Sequence, residues 1–282
     1  MTEPGALNKA DVGRAAVGWL SLHLRRGAEF GHNAVMRLAK FWVGVVAALV
    51  VAGKVAAVEI MIVNAGFESP ATGPGTFVTN APPTGWSAFG SVESFEARAV
   101  GVLNPNGTTL FSSVPEGNNV GVVFLRNSDQ TFSGRAAGLQ QTLSDTLQLN
   151  TSYTLSVAVG NIGNDSAEPH NAFNFSGFPG YRIELLAGGN VIAFNENTVA
   201  PGEGGFLTTT LNYNVGSLHA NAGGALGIRL INLDAAAGIE VNFDDVRLTA
   251  VAIPEVSTGS LWLGAAALGA LGVGRRYRRR HT

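Results

Sequence analysis

Few residues in the central part of this chain are suited to catalysis. Residues 58–252 contain two histidines, His170 and His219, and neither has the spacing of a metal ligand. The whole chain has no cysteine, which excludes thiolate catalysis, cysteine metal sites and disulfides. It has no Gly-x-Ser-x-Gly nucleophile motif, and spacing singles out no glycosidase pair among its many carboxylates. We therefore predict a non-catalytic protein, with no catalytic residue. The alternative is an enzyme of polysaccharide metabolism, either a glycoside hydrolase or a lyase.

A long loop from Gly160 to Gly180 is the best candidate for ligand binding. It is rich in asparagine and carries Phe173 and Phe175, and loops of this length without regular structure are often functional. Trp86 follows a Pro-Thr-Gly turn, and Tyr181 comes directly after the loop. Since sugars bind to aromatic rings beside hydrogen-bonding groups, we take these four rings as candidate ligand-binding residues. The alternative is that they are core residues that pack a loop onto a sheet.

The central region is strongly acidic. Residues 58–252 hold six arginines, no lysine and sixteen acidic residues, a net charge of −10, whereas the whole chain carries −2. A negative surface repels phosphate backbones, so nucleic acid is excluded as a partner. The same negative charge favours the binding of divalent cations. The length of the region is sufficient for one hydrophobic core.

Short apolar–polar alternations bounded by Gly, Asn, Pro and Asp fill the central region, a pattern typical of half-buried antiparallel strands. We predict an all-β fold, a single jelly-roll β-sandwich over 58–252, flanked by an N-terminal signal helix and a C-terminal transmembrane helix. The candidate strands are 59–63, 119–125, 153–159, 181–186, 191–195, 207–213, 227–233 and 241–250. The residues expected in the core include Phe67, Val157, Ile183, Leu230 and Val246.

The segment 36–57 is typical of export. It runs from a short basic stretch through an apolar one to Val55-Ala56-Ala57, the pattern of a secretory signal peptide that signal peptidase cuts after Ala57. Residues 1–35 are long and mixed for the basic part of a signal, so we interpret them as an upstream extension and Met36 as the true start. The alternatives are an extended signal and an uncleaved anchor with a small cytoplasmic segment.

The segment 253–282 has the composition of a membrane tail. Residues 256–274 are uncharged and long enough, at about 1.5 Å per residue, to span a bilayer as a helix. The arginines among residues 275–280 belong on the cytoplasmic side. Pro254-Glu255, the apolar helix and the arginine cluster together resemble the PEP-CTERM sorting tail, which an exosortase, a membrane protease, recognises and cuts. A plain tail anchor is the alternative.

Five short motifs resemble those of galactose-binding-like jelly rolls, which include many carbohydrate-binding modules. In that family a structural calcium ion lies where an early Glu meets an Asp of the last strand. The resemblance therefore implies calcium ligands at Glu68 and Asp244, with Asn64 as a further one. In a regular strand, Asp244 would lie on the same face as Val246 and Leu248. The alternative to a calcium site is that Asp244 and Asp245 are solvated acids at the end of a strand. The five motifs are Asn64–Glu68, Pro83–Trp86, Leu139–Leu143, Leu149–Leu155 and Val241–Leu248.

These features together predict an exported protein of the cell envelope or extracellular matrix. Its precursor is anchored in the membrane by the C-terminal helix, and its partners are signal peptidase and an exosortase-like protease. The non-catalytic sandwich is expected to bind or contribute to extracellular polysaccharide and to hold a structural calcium ion.

Overall fold

The structure, a computed structural model, describes residues 56–90, 98–125 and 136–254. The chain divides into two compact units, 1–54 and 55–282, and the described residues belong to the second. Nearly all of the predicted signal peptide and the whole predicted transmembrane helix thus lie outside the described residues. Within the described ranges, no helix has the length and apolar character needed to cross a membrane.

Two antiparallel sheets form a sandwich, which confirms the predicted all-β class. The larger sheet has the order β10-β7-β12-β5-β4-β2, with β1 added to β12, and the smaller has the order β3-β6-β11-β8-β9. The strands are β1 Val58–Ile60, β2 Phe77–Val78, β3 Ser87–Phe89, β4 Arg98–Leu103, β5 Val120–Leu125, β6 Ala137–Thr146, β7 Thr151–Asn161, β8 Tyr181–Ala187, β9 Asn190–Glu196, β10 Gly205–Val215, β11 Ala225–Asn232 and β12 Glu240–Ala252.

The main core lies between the two sheets and follows from the alternation along the strands. In β7, Tyr153, Leu155, Val157 and Val159 share one face and are all buried. Burying an aliphatic side chain of this size contributes about 1.5–3 kcal/mol. The five residues predicted to be in the core are all buried: Phe67, Val157, Ile183, Leu230 and Val246.

The face of the larger sheet that is turned away from the smaller sheet, here called the outer face, is also covered. A second hydrophobic cluster lies on it, formed by side chains of β4 and β5 and of two long loops. The central strands of the larger sheet are therefore buried on both faces. The buried members of this cluster are Leu103, Leu110, Phe111, Val120, Val122, Ile162 and Phe175.

A bulge changes the facing of the side chains within β12. The register with β7 shifts between Asp244 and Arg247, and Asp245 has a positive φ of 46°. As a result Asp244 belongs to the outer face, whereas Val246 and Leu248 belong to the main core. The prediction that Asp244, Val246 and Leu248 lie on one face of the strand was therefore wrong.

Candidate active site

A cavity of about 340 Å³ lies between the outer face of the larger sheet and residues 162–175, which we call the roof loop. Strands β4, β5 and β12 form its floor, and β2 forms a side wall. The walls are mainly apolar, as is typical of sites for small organic molecules. The lining residues are Phe77, Thr79, Ala99, Leu103, Val122, Phe124, Ile162, Glu168, Pro169, His170, Ala172, Phe173, Phe175 and Glu240.

The register of the sheet sets the floor of the cavity. Ala99 pairs with Phe124, and Phe124 pairs in turn with Glu240. Paired residues of neighbouring strands project from the same face, so these three side chains lie side by side. The sheet thus places one carboxyl group on an otherwise apolar floor.

The roof loop is held by its own polar side chains. The carboxylate of Asp165 accepts hydrogen bonds from the backbone N–H groups of Ala167 and Thr109, both at 2.9 Å. These bonds hold the pKa of Asp165 below its ordinary value. The side chain of Asn164 accepts a bond from the backbone N–H of Phe175 at 2.9 Å. The loop is therefore ordered by local contacts, and the cavity is preformed.

Three phenylalanines bring the roof and the floor together. The ring of Phe173 stands nearly edge-on to that of Phe124, with centroids 5.7 Å apart and planes at 78°. The ring of Phe175 also lies beside that of Phe173, with centroids 5.6 Å apart. Aromatic rings prefer these offset and edge-to-face arrangements, which also suit a flat aromatic ligand. Two of the four predicted ligand-binding residues, Phe173 and Phe175, thus line the cavity.

Glu240 is the buried acid of the floor. The residue is 6% exposed, and its Oε1 accepts a hydrogen bond from Asn242 Nδ2 at 2.9 Å. Burial raises the pKa of Glu240 to about 7, against an opposing contribution from the bond to Asn242. A large fraction of the protein therefore holds this carboxyl protonated at neutral pH. Because Oε1 is already an acceptor, Oε2 is the oxygen that carries the proton.

Glu240, Asn242 and Asp244 form what we call the polar row of β12. They alternate with core residues and are all buried. The Oδ1 atom of Asn242 has no hydrogen-bond partner among the described residues. Leaving such an acceptor unpaired costs about 1–3 kcal/mol, and exceptions of this kind call for an explanation such as a functional role.

His170 lies in a 3-10 turn of the roof loop, His170–Ala172, and is 3% exposed. Its Nε2 lies 3.0 Å from the backbone oxygen of Gly75, and its ring centroid lies 5.8 Å from that of Phe77. The cavity therefore has a second buried titratable group, which comes from the roof rather than the floor.

The structure places the other two predicted ligand-binding residues in the main core. Trp86 is 6% exposed, lies 5.3 Å from the ring of Phe67 and donates its Nε1–H to the backbone oxygen of Asn64. Tyr181 is fully buried, and its hydroxyl donates to Thr209 Oγ1 at 3.0 Å. Both rings pack between the sheets, so neither presents a surface to a ligand.

Asp244 lies at the other end of the polar row from Glu240. It is fully buried, and its Oδ2 accepts a hydrogen bond from the backbone N–H of Glu116 at 2.9 Å. Burial, together with the negative charges of Glu116 and Asp245, raises its pKa to about 7. Two hydrogen bonds from backbone N–H groups act in the opposite direction. Asp244 is thus a desolvated acid beside other acids.

Glu68 and Asp244 both bond to the backbone of the loop 116–119. The Oε1 atom of Glu68 accepts hydrogen bonds from the backbone N–H groups of Asn118 and Asn119, both at 2.8 Å. Among the described residues, no group of three or more His, Cys, Asp or Glu side chains is arranged to hold a metal ion. The structure therefore brings two of the predicted calcium ligands to one loop without assembling a complete site.

Asn64, the third predicted calcium ligand, has a different role in the structure. Its amide nitrogen donates to the backbone oxygens of Ser69 and Thr84, at 2.7 and 3.1 Å, and its oxygen accepts from the backbone N–H of Ser69. The side chain therefore shapes the turn that leads to Glu68.

Comparison with known proteins decides the family. A family model described as HpiC1-like, HpiC1 cyclase, matches residues 58–249. The chain belongs to the HpiC1-like cyclase family. No curated protein matches it.

Solved structures of cyclases support this assignment. A Stig cyclase, Fisc, from Fischerella sp. TAU in complex with (3Z)-3-(1-methyl-2-pyrrolidinylidene)-3H-indole is 38% identical over 69% of this chain and 98% of its own, with a TM-score of 0.62. A cyclase from Fischerella sp. TAU in complex with 4-(1H-indol-3-yl)butan-2-one is 38% identical over 70% of this chain and 100% of its own, with a TM-score of 0.62.

The family corrects the functional predictions. A non-catalytic, polysaccharide-binding matrix protein was the wrong prediction, because the HpiC1-like family and the solved structures that match are cyclases. The alternative was right in naming an enzyme, although the family is not one of glycoside hydrolases or lyases. A carbohydrate-binding module is also among the similar structures: a xylan-binding domain from Paenibacillus barcinonensis is 15% identical, with a TM-score of 0.36. That likeness is too distant to bear on function.

The PEP-CTERM and membrane description receives no support from the comparisons. The family match ends at residue 249, ahead of the tail, and residues 255–282 lie outside the part of the chain that the structure describes.

The sequence analysis did not single out Glu240 as a candidate functional residue. One signal was present: Glu240, Asn242 and Asp244 alternate with Val241 and Phe243 along the last strand. An alternation of this kind separates two faces, but it equally fits a strand with one face in solvent. What distinguishes Glu240 is the roof loop above it, which the alternation does not reveal.

Proposed function

We propose that this protein is a cyclase that binds an apolar, aromatic substrate beneath the roof loop and starts ring closure by proton transfer from Glu240. The observation that carries the proposal is the Glu240 carboxyl itself. It lies buried on the floor of an apolar cavity, and its pKa is raised to about 7. A general acid is most effective when its pKa lies near the working pH.

The proton transfer balances within the site. The O–H bond at Oε2 of Glu240 breaks, and a new bond forms between that proton and a π-bonded atom of the substrate. The resulting cation closes the ring while Glu240 remains as a carboxylate, still bonded to Asn242. The cyclic cation then loses a proton from carbon, so the product is a neutral isomer of the substrate. The rings of Phe124, Phe173 and Phe175 surround the cavity with π-electron density, which stabilises a cation. The apolar walls also exclude water, which would otherwise trap the cation.

The substrate class is inferred from the cavity and from the related cyclases. Two of those structures hold compounds that contain an indole ring system. A cavity of about 340 Å³ with phenylalanines on its floor and roof suits a bicyclic aromatic group of the size of indole. We therefore propose substrates in which an indole-sized ring bears an unsaturated chain.

Binding and turnover test this function separately. The full chain is titrated with 4-(1H-indol-3-yl)butan-2-one by calorimetry, and binding is expected. It is then incubated in D₂O with a panel of alkenyl indoles, and the expected product is a cyclic isomer that carries one deuterium. Glu240→Gln should bind the ligand but form no product.

Glu184→Gln is the matched control for turnover. Glu184 is also a buried glutamate, but it lies in the smaller sheet and pairs with Arg229 at 3.3 Å. Its replacement should leave product formation intact. Equal turnover by Glu240→Gln and the wild type would contradict the assigned acid, and failure of the wild type to bind any indole would contradict the substrate class.

We further propose that the sandwich is a jelly roll whose first and last strands are cross-linked by calcium near Asp244. Two glycines leave room for a cradle of carboxylates: a Cβ at Gly66 would collide with Glu116, and one at Gly117 with Glu68. Carboxylate oxygens are the ligands that calcium prefers. Asp244, Glu68 and Glu116 would hold the ion, which would offset the negative charges that raise the pKa of Asp244.

We also propose that the cyclase domain is exported. The signal-peptide pattern ending at Ala57 supports removal of the leader by signal peptidase, and Pro254-Glu255 marks the site where a membrane protease would release the tail. Intact-mass measurement of the protein from its host tests both cuts. A mature protein that still begins at Met36 would contradict the first, and one that retains the terminal arginines would contradict the second.

A further inference from the structure

His170 is fixed in one tautomer by the fold. Its Nε2 lies 3.0 Å from the backbone oxygen of Gly75, and a carbonyl oxygen can only accept a hydrogen bond. The neutral imidazole therefore carries its proton on Nε2 and presents Nδ1 as an acceptor. Among the described residues, none donates a hydrogen bond to Nδ1.

His170 and Glu240 reach the cavity from opposite sides. Glu240 belongs to β12 on the floor, whereas His170 belongs to the roof loop, and both line the cavity and are buried. The floor thus supplies a proton donor and the roof an unoccupied proton acceptor. We infer that His170 is the catalytic base that removes a proton from the substrate, with Glu240 as its partner acid. This inference rests on the proposed cyclase function and deepens it.

The base completes the reaction that the acid starts. After ring closure, a C–H bond next to the cationic carbon breaks, its proton moves to Nδ1 of His170, and its electron pair forms a C=C bond. The substrate has then gained one proton and lost another, so the product is an isomer. Water restores the site by taking the proton from His170 and supplying one to Glu240.

Acidic side chains surround His170: the carboxylate of Asp165 lies near it, and Glu168 lines the same cavity. No lysine or arginine lines the cavity among the described residues.

Deuterium exchange into 4-(1H-indol-3-yl)butan-2-one tests the pair without knowledge of the natural substrate. His170 would take a proton from the carbon next to the ketone while Glu240 protonates the ketone oxygen, which gives the enol. Reversal in D₂O then places deuterium on that carbon, and proton NMR follows the loss of its signal. The wild-type full chain should accelerate exchange over buffer, and its rate should rise and then fall with pH.

Substitutions assign the role. His170→Gln retains a donor for Gly75, so affinity should stay nearly unchanged while exchange falls by roughly 10²-fold or more and the rising limb of the pH profile disappears. His219→Gln is the matched control, because His219 is bonded to Tyr213 at 2.8 Å and does not line the cavity. It should leave both the rate and the profile unchanged.

Each other outcome would overturn the inference. Exchange that persists in His170→Gln with intact binding would show that His170 only ties the roof loop to Gly75. Absence of binding by the wild type would overturn the proposed function and the inference with it, whereas binding without exchange would overturn the inference alone. Nitrogen-15 NMR of the wild-type imidazole is a test that needs no variant: the proton should be found on Nε2, and a proton on Nδ1 would contradict the assignment.

Discussion

The two faces of β12 are both buried but differ in chemistry. On the inner face, Val241 and Phe243 are fully buried against the smaller sheet. On the outer face, Glu240, Asn242 and Asp244 are also buried, yet they carry two carboxyls with raised pKa values and one amide oxygen that is unpaired among the described residues. The same strand therefore stabilises the fold on one side and carries buried acids with raised pKa values on the other.

This difference indicates where the stability of the fold comes from. Apolar burial on the inner face lowers the free energy of the folded state, whereas desolvation of the polar row raises it. Active sites commonly combine burial with shifted pKa values in this way, and substitutions that remove such groups often stabilise the protein. Substitutions on the two faces should consequently have opposite effects.

The largest effect is expected from the inner face. Phe243→Ala removes a fully buried ring and should lower the free energy of unfolding by about 3–5 kcal/mol. Denaturant titration of the full chain measures it. Phe173→Ala is the matched control because Phe173 is only partly buried, and its stability change should be much smaller. Similar losses in both variants would show that the roof loop is as important for stability as the main core.

The next effect concerns Asp244 and calcium. If calcium binds only the folded state, a concentration of 100 times the dissociation constant should raise the free energy of unfolding by about 2.7 kcal/mol. Asp244→Asn should lose most of that gain, and a chelator should lower the melting temperature of the wild type but not of the variant. Asp145→Asn, at an exposed position in β6, should respond like the wild type. A wild-type melting curve that neither calcium nor chelator changes would contradict the site.

A smaller effect follows from the raised pKa of Glu240. The folded value is about 7 and the ordinary value 4.5, so between these pH values the folded state binds more protons than the unfolded state. Stability should therefore fall as pH rises through this range, and the loss should persist above it. Glu240→Gln should remove this contribution and stabilise the protein by about 2–3 kcal/mol at pH 8, with almost no change at pH 4.

The raised pKa of Asp244 also makes the free energy of unfolding fall as pH rises. In the absence of calcium, Glu240→Gln should therefore reduce the slope of the free energy of unfolding against pH without abolishing it. Glu184→Gln should not stabilise the protein, because it breaks the ion pair with Arg229. Thermal melts between pH 4 and 8 compare the variants. An unchanged slope in Glu240→Gln would show that this carboxyl is not desolvated.

The smallest effect is on ligand affinity. Phe173→Ala should weaken binding of 4-(1H-indol-3-yl)butan-2-one by about tenfold, since an aromatic pair contributes roughly 0.5–1.5 kcal/mol beyond its buried area. Phe194→Ala is the control, because Phe194 is 56% exposed on β9 and does not line the cavity. Equal affinities for the wild type and Phe173→Ala would place the ligand elsewhere.

The sequence determined much of the architecture because strand alternation is a local property. The alternation of Tyr153, Leu155, Val157 and Val159 is enough to define one buried face, and the structure has that face in the main core. The length and composition of the segment from Gly160 to Gly180 also indicated a functional loop, which brings Phe173 and Phe175 to the cavity.

The tertiary structure alone decided which polar residues became buried. Alternation assigns Glu240 and Asp244 to a face, but only long-range contacts determine what covers it. His170 is positioned by the backbone of Gly75, 95 residues earlier, and Asp244 by the backbone of Glu116, 128 residues earlier. The bulge at Asp245 and the burial of Trp86 and Tyr181 likewise depend on neighbouring strands. Desolvation, which shifts the pKa values, depends on everything packed around a group, and a short stretch of sequence does not contain that information.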